Sequence, residues 1–325
     1  MSSKNNLDEI IKAQFKNTIK ETNFSIGKLY RGKVRDNYIL DDKRVIIASD
    51  RLSAFDRVIT EIPFKGEMLN KISSFWFEQT KDIVPNHLID VPDPNVSVVH
   101  QCETIPVEMI VRAYITGSMW RNYQEREPTS GILPPEGMKK NQKFDEIIVT
   151  PSTKAESGHD IYLPKETLIE KGLVTEEIYD QMKEAAIKLF KFGQEHCKKN
   201  GLILVDTKYE FGLKDGELIV IDEIHTQDSS RFWISDSYQE RFSKGETPEI
   251  LDKEIFRGWL MDTYPDVFPG IKPEQEIPAI SDEIKIELAK RYMRSYERIT
   301  GLEFKPEVSN AKERIRENLK KANYL

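Results

Sequence analysis

Leu202-Ile203-Leu204-Val205-Asp206-Thr207-Lys208-Tyr209-Glu210-Phe211-Gly212 is the stretch on which the reading of this chain turns. Four apolar residues open a buried strand, and Asp206, Lys208 and Glu210 then occupy every second position. A strand presents successive residues to opposite faces, so these three charges share one face. Ions side by side on a buried surface are costly unless a ligand or metal shares their field. A second apolar run, Leu218-Ile219-Val220-Ile221, also ends in acids, Asp222 and Glu223. Two strands running into carboxylates suit the wall of a magnesium–nucleotide cleft. A solvated hairpin with cross-strand salt bridges carries the same pattern.

Between the runs, Lys214-Asp215-Gly216-Glu217 signals a hairpin. A two-residue Asp215–Gly216 turn pairs Lys214 with Glu217 and puts Asp222 on the face away from Glu210. A three-residue Lys214–Asp215–Gly216 loop pairs Leu213 with Glu217 and Lys208 with Asp222. Glu210 and Asp222 are then diagonal neighbours able to share one hard cation. The three-residue loop is the expected register, with Glu210 and Asp222 as the metal ligands.

A chain of 325 residues can bury two lobes. Its net charge of -7 argues against a general nucleic-acid partner. No apolar run approaches the ~20 residues needed to span a bilayer, and Met1 to Lys20 lacks a secretory core. Two cysteines make no disulfide framework, and five scattered histidines show no zinc spacing. A cytoplasmic protein is expected.

Helix is expected at Asp8–Ile19 and Lys71–Lys81, with strands at Lys28–Arg31, Asn37–Leu40, Arg44–Ala48, His87–Val91 and Val96–His100. Met109, Val111, Ala113 and Ile115 alternate with Glu108, Arg112, Tyr114 and Thr116, which aims a Glu and an Arg into a cleft. A helix over Met119–Arg126 follows, with Ser118 as its cap. Glu127–Asn141 reads as a long loop, Ile147–Thr150 as a short strand and Pro151–Asp160 as a polar loop. A long helix is expected over Glu176–Lys199, with Gly201 beyond its end. Further helices are expected at Asp236–Lys244, Lys253–Thr263, Asp282–Thr300 and Glu307–Ala322. Trp120 and Trp259 read as core residues, and His225 as a surface or supporting residue. Strands first and helices later indicate an α+β fold, divided into a small lobe over 1–105 and a larger one over 106–325.

Several polar clusters sit where strands end or helices begin, the usual place for ligand sites. Gly32-Lys33-Val34-Arg35-Asp36 suits a hairpin over nucleotide phosphates, or else an exposed basic turn. Ser49-Asp50-Arg51-Leu52-Ser53-Ala54-Phe55-Asp56 suits a phosphate or carboxylate, or a self-capping turn. Gly117-Ser118 at a helix start, beside Arg112, offers an anion site or simple capping. Thr150-Pro151-Ser152-Thr153-Lys154-Ala155-Glu156 reads as a loop that orders on a charged ligand, or one merely solvated. Asp228-Ser229-Ser230-Arg231 precedes Phe232-Trp233, aromatic anchors that would hold Arg231 at a pocket edge.

In six blocks, Gly32–Asp36, Ser49–Asp56, Glu108–Ser118, Thr150–Glu156, Asp206–Gly212 and Asp222–Trp233, within a span from about Gly27 to about Trp259, the chain resembles phosphoribosylaminoimidazole-succinocarboxamide synthases, the SAICAR synthetases, in their longer form. The resemblance implies a two-lobed α+β fold. A small antiparallel β-rich N-terminal lobe, similar to that of protein kinases, would cover ATP, and a larger α+β lobe would carry the metal and substrate sites. It implies an ATP-dependent ligase joining L-aspartate to carboxyaminoimidazole ribonucleotide (CAIR) through an acyl phosphate, with Mg2+ as cofactor. Gly32, Lys33, Val34, Arg35, Glu108 and Lys208 would bind ATP. Glu210 and Asp222 would bind magnesium. Asp50, Arg51, Ser53, Asp56, Arg112, Ser118, Ser152, Thr153, Lys154, Ser229, Ser230 and Arg231 would bind the other substrates. Lys208 and Arg231 would be catalytic. A monomer or homodimer is expected, with small-molecule partners and neither nucleic acid nor membrane.

Two departures from the family pattern stand out: Gln227 where Pro is usual, expected to loosen the backbone, and a short Glu156–Asp160 segment, which puts roles for His159 and Asp160 in doubt. A small-molecule kinase or a non-catalytic nucleotide-binding protein would share much of the pattern.

Overall fold

The computed structural model describes residues 2–154, 161–251, 253–272 and 274–325, with side chains from Asn6 onward. Residues Ala155–Asp160, and with them the readings of Glu156, His159 and Asp160, lie outside that set. The chain forms two compact units, one of residues 1–75, 88–101 and 252–325, the other of 76–87 and 102–251. The α+β architecture with antiparallel sheets is as expected.

The N-terminal part runs through α1 (Ser2–Gln14), β1 (Lys28–Arg31), β2 (Arg35–Ile39), β3 (Lys43–Ala48), β4 (Arg51–Ala54), β5 (Arg57–Glu61), α2 (Lys65–Thr80), β6 (Leu88–Asp93) and β7 (Val96–His100). Five of the strands make one antiparallel sheet in the order β1-β2-β3-β7-β6, and β4 pairs with β5 alone. Tyr38, Val45, Ile47, Val96 and Val98 share its inner face, as period-two alternation requires. The first helix starts and stops earlier than Asp8–Ile19, and Ile19 is part of this core.

The second unit contains β8 (Glu103–Tyr114), α3 (Gly117–Gln124), β9 (Lys143–Thr153), α4 (Lys165–Glu170), α5 (Glu176–Lys199), β10 (Leu202–Lys214), β11 (Glu217–Ile221), β12 (Ser230–Ile234) and α6 (Ser235–Ser243). Its sheet runs β11-β10-β8-β9, with β12 also paired to β10. The Thr175 side chain caps α5 by accepting from the Ile178 N–H at 3.2 Å. Tyr179, Met182, Ala186, Leu189 and Phe190 then recur at helical spacing along its buried stripe. That stripe packs across β10 and β8, so one sheet face is closed off and the other is left to carry polar groups.

The chain then continues into α7 (Glu254–Thr263), α8 (Asp282–Thr300) and α9 (Ala311–Lys321). These belong with the N-terminal sheet, whereas a division at 105/106 assigns them to the larger lobe. The reason is packing: Ala311, Ile315 and Leu319 of α9 complete the core of Tyr38, Val45 and Val98. Trp120 and Trp259 are only half-buried, and the fully enclosed tryptophans are Trp76 and Trp233.

Candidate active site

In the second unit, strand pairing assembles the polar residues into three rows on one sheet face. Glu210 of β10 lies opposite Glu108 of β8, which lies opposite Ser152 of β9. One step along, Lys208 faces Ile110 and Ile110 faces Thr150. One step further, Asp206 lies between Arg112 of β8 and Arg231 of β12. Paired residues in an antiparallel sheet share a face, and rows two residues apart are separated by about 7 Å. An acidic row and an arginine row are thus set about 14 Å apart, with one ammonium between them.

Two carboxylates directly opposed, Glu108 and Glu210, repel unless a cation joins them. Lys208 does so, with its Nζ 2.6 Å from an oxygen of each. Lys154 also donates to Glu210. Burial acts to lower the Lys208 pKa, but Glu210, Glu108 and Asp222 outweigh it and hold the ammonium well above its usual range. Lys208 is a permanent positive charge.

At the other end, Asp206 Oδ2 accepts from Arg112 Nη1 at 3.2 Å and from Arg231 Nη1 at 2.7 Å. Arg112, almost wholly buried, also donates from Nε to Thr150 Oγ1 at 2.9 Å. Its Nη2 reaches Ser118 Oγ at 3.4 Å and the Tyr162 hydroxyl at 3.1 Å. Gly117 opens α3 with φ +57, and a Cβ there would fall 2.6 Å from Arg231 Nη2. Glycine is therefore required where the helix start meets the guanidinium. The cap of α3 is Thr116 rather than Ser118, which lies one residue inside the helix and turns its hydroxyl to Tyr162 at 2.7 Å.

The hairpin register is not the expected one. Lys214 pairs with Glu217 across a two-residue Asp215–Gly216 turn, with φ of 53 and 85. Asp-Gly is the pair that such a double left-handed turn favours. Glu210 therefore faces Ile221, and simple alternation would carry Asp222 to the opposite face. Asp222 follows the last residue of β11 and adopts φ 69, so strand alternation does not extend to it. Its carboxylate raises the Lys208 pKa.

Thr150, Pro151, Ser152 and Thr153 lie in β9, not in a loop. Pro151 is tolerated because β9 is an edge of the main sheet path, where a missing N–H costs no central ladder bond. Ser152 Oγ is buried and has no hydrogen-bond partner among the described residues. Ser230 is in β12 and bonds Thr207 Oγ1 at 2.6 Å, and the Ser229 carbonyl accepts from Lys208 N at 3.1 Å. The turn that carries Gln227 is closed by hydrogen bonds. Thr226 Oγ1 accepts from the N–H groups of Asp228 and Ser229, both at 3.3 Å, and the Thr226 carbonyl accepts from Ser230 N at 3.0 Å.

His225 is fully buried rather than at the surface, bonded through Nε2 to the Tyr209 hydroxyl at 2.5 Å and edge-on to Trp76. Burial, helped by His196, pushes its pKa down to about 3.

In the first unit, Gly32 N donates to the Arg35 carbonyl at 2.8 Å, closing the turn between β1 and β2. Exposed Lys33 pairs with Asp56. Val34 accepts at its carbonyl from Ser49 N and Oγ at 3.1 and 2.6 Å. Asp50 is buried, and its two oxygens accept from Ile19 N at 2.7 Å and Gly66 N at 3.0 Å. Burial nevertheless pushes its pKa up to about 6. Arg51 donates to the carbonyls of Lys33, Gly32 and Lys20 and to Asp36. The segment that suited either an anion site or a self-capping turn forms a hairpin, β4–β5, whose tip Phe55–Asp56 has φ of 49 and 61. Ser53 faces Val58 on it.

Asp206, which alternates with Lys208 along the sequence, joins the site between Arg112 and Arg231 without having been among the expected ligand residues. Tyr162 had no local signal. Among the described residues no group of three or more His, Cys, Asp or Glu forms a metal cage. Glu210 accepts from Lys208 and Lys154, and a site of one or two carboxylates with water and phosphate oxygens is the kind that magnesium ordinarily takes.

Residues 28–269 match the family model described as SAICAR synthetase. Over 291 residues the chain is 45% identical to a phosphoribosylaminoimidazole-succinocarboxamide synthase of Legionella pneumophila (strain Paris), covering 87% of this chain and 91% of that one. It superposes on the SAICAR synthase of Saccharomyces cerevisiae complexed with SAICAR with a TM-score of 0.75 and 34% identity, covering 88% and 99%. A SAICAR synthetase solved in complex with ADP gives 0.65 and 25%, covering 86% and 100%.

Proposed function

The chain belongs to the SAICAR synthetase family, and from that premise we propose which of its residues carry each part of the reaction. It is an ATP-dependent ligase of purine biosynthesis that joins L-aspartate to CAIR, forming SAICAR, ADP and phosphate. The observation that carries the assignment is the separation of an acidic row from an arginine row on one sheet face, with Lys208 between them.

Arg112, Arg231 and Ser118 grip the phosphate of the ribonucleotide; Arg231, for which the resemblance implies a catalytic role, takes a binding role in this assignment because it lies opposite Asp206, in the row away from the carboxylates. Two guanidiniums and a hydroxyl at a helix start are the donors a phosphate takes. Ser229 and Ser230 border that grip. Lys208 holds nucleotide phosphates as a point charge, and Glu108 keeps the ammonium aimed. Glu210 and Asp222 hold magnesium, which when bound neutralises charge on the phosphate oxygens. Ser152, Thr153 and Lys154 receive a carboxylate of L-aspartate. In the first unit, Gly32, Lys33, Val34 and Arg35 contact ATP, and Ser53 and Asp56 contact the ribonucleotide. Asp50 and Arg51 act through the backbone they tie down.

The γ-phosphoryl group passes to a carboxylate oxygen of CAIR, releasing ADP. The aspartate amine then attacks the acyl carbon, the carbon–oxygen bond to phosphate breaks, and the amine gives up its proton. Positioning and charge supply most of the rate. The enzyme acts in the cytoplasm as a monomer or homodimer. The absence of any helix able to cross a membrane among the described residues is compatible with that setting.

Omitting ATP, magnesium, CAIR or L-aspartate in turn should each abolish sustained ADP release. Lys208→Met should lower kcat by at least about 100-fold with the KM for CAIR little changed. Arg231→Lys should raise that KM by about tenfold or more with kcat largely kept, since replacing a forked donor by a point charge costs on the order of 1.4 kcal/mol or more. Identical effects from the two variants would refute the division into rows.

A further inference from the structure

Tyr162 lies on no helix or strand of its own, yet it is held against the arginine row. An isolated bridge pairs it with Ser152 at the end of β9. Thr153 N donates to the Ile161 carbonyl at 2.9 Å, and Leu163 N to the Pro151 carbonyl at 3.4 Å. Ile161 N also donates to Thr153 Oγ1 at 3.1 Å. Bonds on both sides of Tyr162 leave its backbone little freedom, so the direction of its ring is set by the sheet edge.

The phenol hydroxyl lies 2.7 Å from Ser118 Oγ and 3.1 Å from Arg112 Nη2. The ring centroid is 5.7 Å from the Arg112 Cζ, within cation–π range. Arg112 is thereby fixed at Nε by Thr150, at Nη1 by Asp206 and at Nη2 by Tyr162. Ser118 has only Arg112, at 3.4 Å, as its other hydrogen-bond partner among the described residues. Of the groups that fix Arg112, Asp206 brings a negative charge. Tyr162 orients the guanidinium without cancelling its attraction for an anion.

We propose that Tyr162 is a positioning residue for the ribonucleotide: its hydroxyl holds Arg112 and Ser118 together in the arrangement that receives the phosphate. The proposal rests on the assignment of Arg112, Ser118 and Arg231 to that phosphate. A preorganised grip avoids the cost of ordering these side chains on binding. A hydrogen bond to a charged group contributes more than a neutral pair, so its removal should be visible in substrate affinity.

The test is Tyr162→Phe, which keeps the ring and removes the hydroxyl, assayed beside Arg231→Lys. Tyr162→Phe should raise the KM for CAIR about tenfold, with kcat and the KM values for ATP and L-aspartate within about twofold of the parent and the Tm within about 2 °C. Tyr162→Leu, which also removes the ring, should raise the KM for CAIR further. If Arg231→Lys raises the KM for CAIR and Tyr162→Phe does not, the positioning role is refuted. A uniform rise of all three KM values with a lowered Tm refutes it too, because that is the mark of a structural residue. If neither variant moves the KM for CAIR, the phosphate assignment itself fails and the role of Tyr162 falls with it.

Discussion

His225 and Asp50 are both buried titratable groups, and they push stability in opposite directions with pH. His225 has a folded pKa of about 3 against an ordinary 6.5. Between these values the unfolded chain binds the proton first, so stability is full above pH 6.5 and falls as pH drops. From pH 6.5 to 5 the loss is roughly 2 kcal/mol at about 1.36 kcal/mol per unit. Asp50, raised from 3.8 to about 6, holds its proton in the folded state. Its effect is therefore a loss of stability as pH rises through that window, of about 3 kcal/mol in all. His225→Gln should flatten the acid limb of urea-denaturation stability by about 2 kcal/mol between pH 6.5 and 5, and Asp50→Asn should steepen it. Unchanged slopes in both variants would contradict the burial described for these side chains. Neither residue is marked as buried by its neighbours in sequence: His225 follows two acids and an isoleucine, and Asp50 opens a polar stretch.

At the scale of elements, the start of α3 is the tightest point of the site. Gly117 combines a left-handed φ of 57 with a guanidinium where a side chain would go. Gly117→Ala should incur about 1–2 kcal/mol of backbone strain and displace Arg231. The expected outcome is a KM for CAIR raised at least tenfold together with a Tm a few degrees lower. A variant with parental kinetics would mean that Arg231 can move without consequence. The β10–β11 hairpin shows where reading an element from sequence fails. Composition indicated the turn, and the residues of both strands were legible, but a one-residue choice of loop length reverses the faces of everything beyond it. Asp215–Gly216 takes the double left-handed turn, and Asp222, left-handed just past the end of β11, still acts electrostatically on Lys208.

For the molecule as a whole, the C-terminal helices are part of the first unit's core although residues 270–325 lie beyond the span matched by the family model. Arg314 of α9 binds both oxygens of Asp93, at 3.0 and 3.2 Å, and Asn95 Oδ1 at 2.5 Å. Ile315 is fully enclosed beside Tyr38, Val45 and Val98. Ile315→Ala should cost about 2–5 kcal/mol in chemical denaturation, the usual range for emptying such a site. A loss below about 1 kcal/mol would place α9 outside the core.

Local rules sufficed for much of this protein. Period-two alternation put Asp206, Lys208 and Glu210 on one face, and the helices expected over Glu176–Lys199 and Asp282–Thr300 begin and end at the residues of α5 and α8. The six quoted blocks were enough for the family. Tertiary structure alone decided the register of the β10–β11 hairpin, the continuation of β9 through Pro151–Thr153, the joining of α9 to the N-terminal sheet and the arrival of Tyr162 beside Arg112 and Ser118. Alternation and capping act over a few residues and leave their mark in composition. Pairing between strands and packing between distant segments depend on which surfaces meet, and no short stretch of chain records that.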